Sequence, residues 1–353
     1  MRQSSARVGG NGGYRRNSVA FRNDVAVLEG AKRMTRDKSI VAGLLFMLCG
    51  LHPASAQDWP TRPVTVVVPL PAGTAVDSIT RLATQQAAQK LGQSFIVENR
   101  PGAGGTLGTS YVAKASSDGH TLLVYGAAAS AAALYARLPY DTLNDITPVI
   151  SLGQQPLVVV APAGRFKGLA DLVAHAKARP GALNFSTPGV GTAAHLGAAR
   201  LMLSAGFEAQ HVPFRGDYMV DVVAGRIDFS VAPLGTVIGL VRDNKLAALA
   251  VGAAQRSFAL PQVPTLIEAG LKEDAIYPFY TPLFAPGRTP VPVLDRIYAQ
   301  VQAALATQLV RDRAASLGFE PMPLSRSELQ TFFRKDVAGN AALVKAAKIP
   351  LQH

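Results

Sequence analysis

PVTVVVPLPAGTAVDSITRLATQQAAQKLG, residues 63–92, is the stretch that decides the architecture. Val64 to Val68 is a short β-branched run of the kind that forms a buried strand. Pro69 to Thr74 reads as a loop, and Asp77 begins a helix whose apolar positions include Ile79, Leu82 and Ala83. Working outward, SFIVENRPGAGG (94–105) gives a strand over Phe95 to Glu98 and a Gly-rich turn. A short helix in TLGTSYVAKAS (106–116) and a third strand in HTLLVYG (120–126) follow. This β-α-β-α-β alternation predicts an open, mostly parallel sheet with helices on its faces.

The alternation then starts again. PLVVVAPAG (156–164) reads as a strand, GLADLVAHAKARPG (168–181) as a helix, and ALNFSTPG (182–189) as a strand entering a Gly-rich loop. A helix at 193–206, a strand in AQHVPF (209–214), and a helix, glycine stop and strand across 217–232 come next, with a last strand in LAALAVGA (246–253). TPLFAP (281–286) is similar to VVVAP (158–162), an apolar strand closed by Ala-Pro. Helices at 291–306, 310–317 and 325–347 bring no sheet of their own. Two α/β units joined by two similar strands predict two lobes, with residues 57–157 and 285–353 in the first and 158–284 in the second. In open α/β sheets ligands bind off the carboxyl ends of the strands, so the expected site is a cleft between the lobes.

The totals narrow the function. The 353 residues are 48% hydrophobic and 16% charged, enough for a sizeable core. The formal charge of +12 is not a nucleic-acid signal, because residues 1–56 hold nine Lys/Arg against three Asp/Glu and so supply half of it. The remaining basic residues are scattered, with no run interleaved with aromatics, and we expect no nucleic-acid partner. MTRDKSIVAGLLFMLCGLHPASAQDWP (34–60) carries Arg36 and Lys38, an apolar stretch from Ile40 to Leu51, and Ala54-Ser55-Ala56. That is the pattern of a secretory signal peptide over 34–56, with cleavage after Ala56, a start at Met34 and a periplasmic mature protein beginning at Gln57. The only cysteine is Cys49, so the mature chain has neither a disulfide framework nor a thiol nucleophile.

Five stretches carry a family resemblance: WPTRPVTVVVPLPAGTAVD (59–77), VENRPGAGGTLGTSYVAKASSDGHTLL (97–123), LYARLPYDTLNDITPV (134–149), NFSTPGVGTAAHL (184–196) and FAPGRTPVPVLDRI (284–297). In this order and spacing they resemble the extracytoplasmic solute receptors of tripartite tricarboxylate transporters, the Bug family. The resemblance implies a two-lobed, type II-like periplasmic binding protein, a monomer without cofactor. Its partners would be a small carboxylate ligand and the transmembrane permease subunits of a tripartite transporter.

The same resemblance points to site residues. In the first loop, Pro71, Gly73 and Asp77 match the family's Pro-x-x-Gly-Gly…Asp pattern, while Thr74 stands where a second glycine is usual. It implies backbone N–H donors near Gly73 and Thr74; read alone, the loop is a Pro/Gly turn with Asp77 capping a helix. Ser186, Thr187, Gly189, Thr192 and His195 match the second ligand loop. A strand-to-helix junction of small hydroxyls and glycines suits an anion, because first-turn N–H groups are unpaired and the helix dipole is positive there. Ser186 and Thr187 are the expected donors, and His195 reads equally as a buried histidine bonded to a carbonyl. Arg215 and Gly216 fit a third, strand-end loop, shortened over 216–221. Arg215 could pair bidentately with a carboxylate or stand as a solvated surface residue. Ala232 sits where many members carry Asp, and alanines over 127–133 replace a Thr and an Asn-Pro, which argues for a ligand with an apolar portion or for altered specificity.

Other readings compete. An exported hydrolase has Ser186, His195 and several aspartates to draw on, but no G-x-S-x-G elbow is present. GAGGTLG places Leu107 where a dinucleotide fingerprint needs its last glycine. A receptor that feeds a membrane sensor kinase instead of a permease has the same sequence signature.

Overall fold

The computed structural model describes residues 59–214 and 216–352. The expected signal peptide, Cys49 and Arg215 lie outside the described residues. Two five-stranded sheets follow one plan. The first is built from β1 (Val64–Val68), β2 (Phe95–Asn99), β3 (Thr121–Val124), β4 (Ile146–Gln154) and β10 (Tyr280–Pro286), in the order β2-β1-β3-β10-β4. The second contains β5 (Leu157–Pro162), β6 (Asn184–Thr187), β7 (Gln210–Pro213), β8 (Phe229–Pro233) and β9 (Leu246–Gly252), in the order β7-β6-β8-β5-β9. β1 pairs in parallel with β2 and β3, and β6 with β7 and β8. The strand that arrives from the other lobe, β10 in the first sheet and β5 in the second, is antiparallel to both its neighbours. Four strands of each sheet therefore run one way, and the two Ala-Pro strands are the crossings.

The crossings touch. Gln155, between β4 and β5, donates its N–H to the Phe279 carbonyl at 2.8 Å, and its side-chain amide donates to Leu317 O at 3.0 Å. The return boundary expected at 284/285 falls inside β10, all of which pairs in the first sheet, so the first lobe resumes at Tyr280.

Ten helices are described: α1 (Ala75–Leu91), α2 (Thr106–Ala113), α3 (Ala128–Leu134), α4 (Leu169–Ala178), α5 (Ala193–Ala205), α6 (Met219–Val223), α7 (Leu234–Arg242), α8 (Val291–Leu305), α9 (Gln308–Ser316) and α10 (Arg326–Ala346). The first shows how local sequence sets an element. Thr74, in extended conformation, accepts from the Asp77 N–H as N-cap, and Gly92 ends the helix in the left-handed region. The cap is thus Thr74 rather than Asp77, and the helix starts two residues earlier than its apolar spacing predicts. Ile79, Ala83 and Ala87 of this helix are fully buried, the first two in a core with Val64, Val66 and Leu122. Three elements go beyond the sequence reading: the strand β4 and the helices α3 and α7.

The chain beyond 285 does not belong wholly to the first lobe. α8 and the start of α10 pack there, with Leu329 and Phe333 against Phe284 and Leu123. The end of α10 crosses over, and Leu343, Val344 and Ile349 join Phe185, Leu196 and Phe229 in the core of the second lobe.

Candidate functional site

The co-directed strands of both sheets end at one cleft. Pro69 and Leu70 after β1, Gly102, Gly104 and Gly105 after β2, Tyr125, Gly126 and Ala127 after β3, Pro188 after β6 and Pro233 at the end of β8 line a cavity of about 510 Å³. This is the carboxyl-end position that open α/β sheets use for ligands. First turns of helices reach it from both lobes: Val76 of α1, Gly105 capping α2, Thr192–Ala194 of α5 and Thr236 of α7. Each of these ends presents backbone N–H groups and the positive end of a helix dipole. Among the described residues, none that lines it is Asp, Glu, Lys, Arg or His. The arrangement can therefore hold a small anion through neutral donors. Among the described residues no group of three or more His, Cys, Asp or Glu could hold a metal ion, and no helix is long and apolar enough to cross a membrane.

The loop over 186–195 is built from both its own residues and β7. Ser186 and Thr187 end β6 with no exposed surface. The Ser186 hydroxyl donates to the Tyr218 carbonyl at 3.2 Å. That of Thr187 accepts from the Gly189 N–H at 3.1 Å and is bonded to His211 Nε2 at 2.7 Å. Gly189 and Gly191 have φ of 140° and 79°, and a Cβ on Gly191 would lie 2.7 Å from Leu134 Cδ1. Thr192 caps α5, accepting from the His195 N–H and donating to Gly189 O at 2.8 Å. Nδ1 of His195 accepts the Gly191 N–H at 3.0 Å, which fixes the neutral ring's proton on Nε2. The His195 and His211 rings stack 4.1 Å apart, and Phe185 stacks on His211. Burial lowers both histidines, His195 to about 4 with the neighbouring His211 adding to the effect. Both rings are neutral supports of the loop at ordinary pH.

The first loop is organised around Asp77. This carboxylate is buried, accepts the Gly73 N–H at 2.9 Å and the Asn99 amide at 2.9 Å, and pairs with Arg81 at 3.0 Å. Burial raises its pKa, but Arg81, Gly73 and Asn99 together hold it below the usual carboxylate value. Pro71 and Gly73 are exposed, and Thr74 donates to Pro71 O at 3.1 Å.

Among the described residues expected from sequence, Thr192 alone lines the cavity. Ser186, Thr187, Gly189 and His195 form the shell behind its wall. Pro71, Gly73, Thr74 and Asp77 shape the turn next to Leu70, Gly216 is exposed beyond β7, and Arg215 lies outside the described residues.

Sequence reasoning missed much of the wall itself. Tyr125 and Tyr135 line the cleft and donate to the carbonyls of Gly104 and Ala103, pinning the Gly-rich turn after β2. Gln352 crosses it: its backbone bonds Leu134 O and the Ala136 N–H, and its side chain donates to Val190 O at 3.3 Å in the other lobe. Thr281 sits on the crossing strand. The alanines over 127–133, read as a departure from the family, were the one signal; Ala127 and Ala131 do face the cavity.

The comparisons fit this geometry. The family described as tripartite tricarboxylate transporter family receptor matches residues 79–349. Protein BugT of Bordetella pertussis is 31% identical over 319 residues, covering 88% of this chain and 97% of that protein. MatC from Rhodopseudomonas palustris, solved with bound malate, is 32% identical, with a TM-score of 0.68 over 81% of this chain and 100% of that one. A second R. palustris protein, solved with adipate, is 29% identical with a TM-score of 0.71, covering 83% of this chain and all of that one. With two sheets on one plan, a cleft at their carboxyl ends and a family match over most of its length, this chain belongs to the receptors of the tripartite tricarboxylate transporter family.

Proposed function

We propose that this protein is an extracytoplasmic receptor that captures a small carboxylate-bearing solute between its lobes and delivers it to a tripartite-transporter permease. The observation that carries the reading is the convergence of four helix N-termini, from both lobes, on a cleft whose lining, among the described residues, carries no charged side chain. Such a site binds an anion reversibly and contains no nucleophile paired with a base. The malate and adipate bound by the two R. palustris relatives support a carboxylate ligand. The signal-peptide pattern over 34–56 supports export, with Gln57 as the mature N-terminus. A ligand that touches both lobes favours the closed arrangement, with hinges at Gln155–Pro156 and Phe279–Tyr280.

A thermal-shift screen of mono-, di- and tricarboxylates tests the reading, with recovered ligand checked by NMR. At a hundredfold excess over Kd a ligand stabilises the fold by about 2.7 kcal/mol. The expected result is a shift with at least one carboxylate, recovered unchanged. Turnover of the ligand, or no shift with any carboxylate, overturns it.

A further inference from the structure

A continuous bridge of side chain and backbone spans the cleft. On the first lobe's side, the Tyr135 hydroxyl donates to the Ala103 carbonyl at 2.9 Å, in the Gly-rich turn that leads into α2. Tyr135 follows directly on α3, and Gln352 is bound to the same segment twice. Its N–H donates to Leu134 O at 2.7 Å, and its carbonyl accepts the Ala136 N–H at 2.9 Å. The Gln352 side chain then reaches the second lobe, where Nε2 donates to Val190 O at 3.3 Å in the loop that leads into α5. Beside it, Leu134 packs on Gly191 so closely that a Cβ there would lie 2.7 Å from its Cδ1. Tyr135, Val190, Gly191 and Gln352 all line the cavity.

The two turns joined in this way are those that open α2 and α5, one from each lobe, both with N-termini at the cleft. Their spacing decides whether one anion touches both sets of N–H groups. The bridge is uneven in strength. Its middle is a two-bond backbone ladder, whereas the Gln352 end is a single neutral hydrogen bond from a partly exposed side chain. With the Gln352 backbone fixed on the Tyr135 segment, that last bond holds only while the lobes keep this spacing. Such a bond adds little to folding but biases the balance between two lobe arrangements.

We propose, resting on the receptor reading above, that Gln352 is a positioning residue for ligand capture. Together with Tyr135 it clasps the turns before α2 and α5 at the spacing that a bound anion needs, and its bond to Val190 must break before the lobes part and release the anion.

Spin labels read the spacing directly. The mature chain expected from Gln57 has no cysteine, so Lys114→Cys and Val220→Cys, both exposed, place one label on each lobe. Pulsed electron resonance is recorded without ligand and with malate or adipate. Gln352→Met, which keeps the length and removes the donor, should shift the distances outward, and Tyr135→Phe should do the same. The double variant should go no further than the larger single one, because the two bonds act in series. Stopped-flow release of malate and of adipate should be about threefold to tenfold faster in Gln352→Met, the range for one neutral hydrogen bond. The factor should be the same for both, association should stay within about twofold, and the melting temperature without ligand should hold. Unchanged distances in Gln352→Met overturn the clasp. A loss confined to one of the two carboxylates, or carried by slower association, makes Gln352 a ligand contact and overturns it too. Binding of no carboxylate defeats the receptor reading, and the label distances still decide the clasp.

Discussion

Replacing Thr187 by valine separates support of the ligand loop from direct contact with ligand. Valine keeps the volume and branching of the side chain, so no cavity forms. It removes a hydroxyl that is completely buried, accepts the Gly189 N–H at 3.1 Å and is bonded to His211 Nε2 at 2.7 Å. Each hydrogen bond of this kind contributes about 1 kcal/mol net, and a buried polar group left without a partner costs about 1–3 kcal/mol. With two partners stranded, the variant should lose about 2–3 kcal/mol. For a folded chain of this size that is a fall of about 3–5 °C in melting temperature. Urea denaturation of the unliganded protein gives the stability and calorimetry the affinity. The affinity should change by less than about threefold, because the hydroxyl lies behind the cavity wall. Unchanged stability together with a tenfold loss of affinity would refute this and make Thr187 a direct ligand donor.

The other expectations follow the same logic. His195 has a folded pKa of about 4 against 6.5 unfolded, so its contribution is complete above pH 6.5 and is lost as the pH falls toward 4. Relative to His195→Asn, the wild type should lose roughly 3 kcal/mol over that interval, read by denaturation at stepped pH. Burial raises the Asp336 carboxyl to about 6, with Tyr280 and Arg200 pulling the other way. The folded state then holds the proton more tightly than the unfolded one, and stability is lost as the pH rises from 3.8 through 6. Asp336→Asn should therefore be the more stable at pH 7 by up to roughly 3 kcal/mol, with the gap closing as the pH falls. A Cβ on Gly126 would lie 2.6 Å from the Tyr280 carbonyl, so Gly126→Ala should push β3 off the crossing strand and destabilise by about 1–3 kcal/mol in the same assay.

What the sequence made legible was the periodic part of the chain. β5 is a continuous apolar run, β1 and β8 are apolar but for Thr65 and Ser230, and helices such as α1 and α5 sit between clear caps. β4 carries Pro148 and Gly153, which interrupt its apolar pattern; it is an edge strand whose register shifts near that proline, where an absent N–H is tolerated. Seven residues dominated by alanine give α3 no contrast of faces, and α7 mixes two glycines with β-branched residues. Residue type made the hydroxyls of the 186–195 loop conspicuous, but their direction depends on His211 and the Tyr218 carbonyl, 24 and 32 residues away. Thr281 and Gln352 have no local signature, since only the crossing and the end of the fold bring them to the cleft.

The most direct measurement is a crystal structure of the mature protein with the tightest ligand from the carboxylate screen. The account predicts a carboxylate between the lobes, within about 3.2 Å of first-turn N–H groups at the cleft. A ligand held within a single lobe, or one whose carboxylate touches none of these N–H groups, would contradict it.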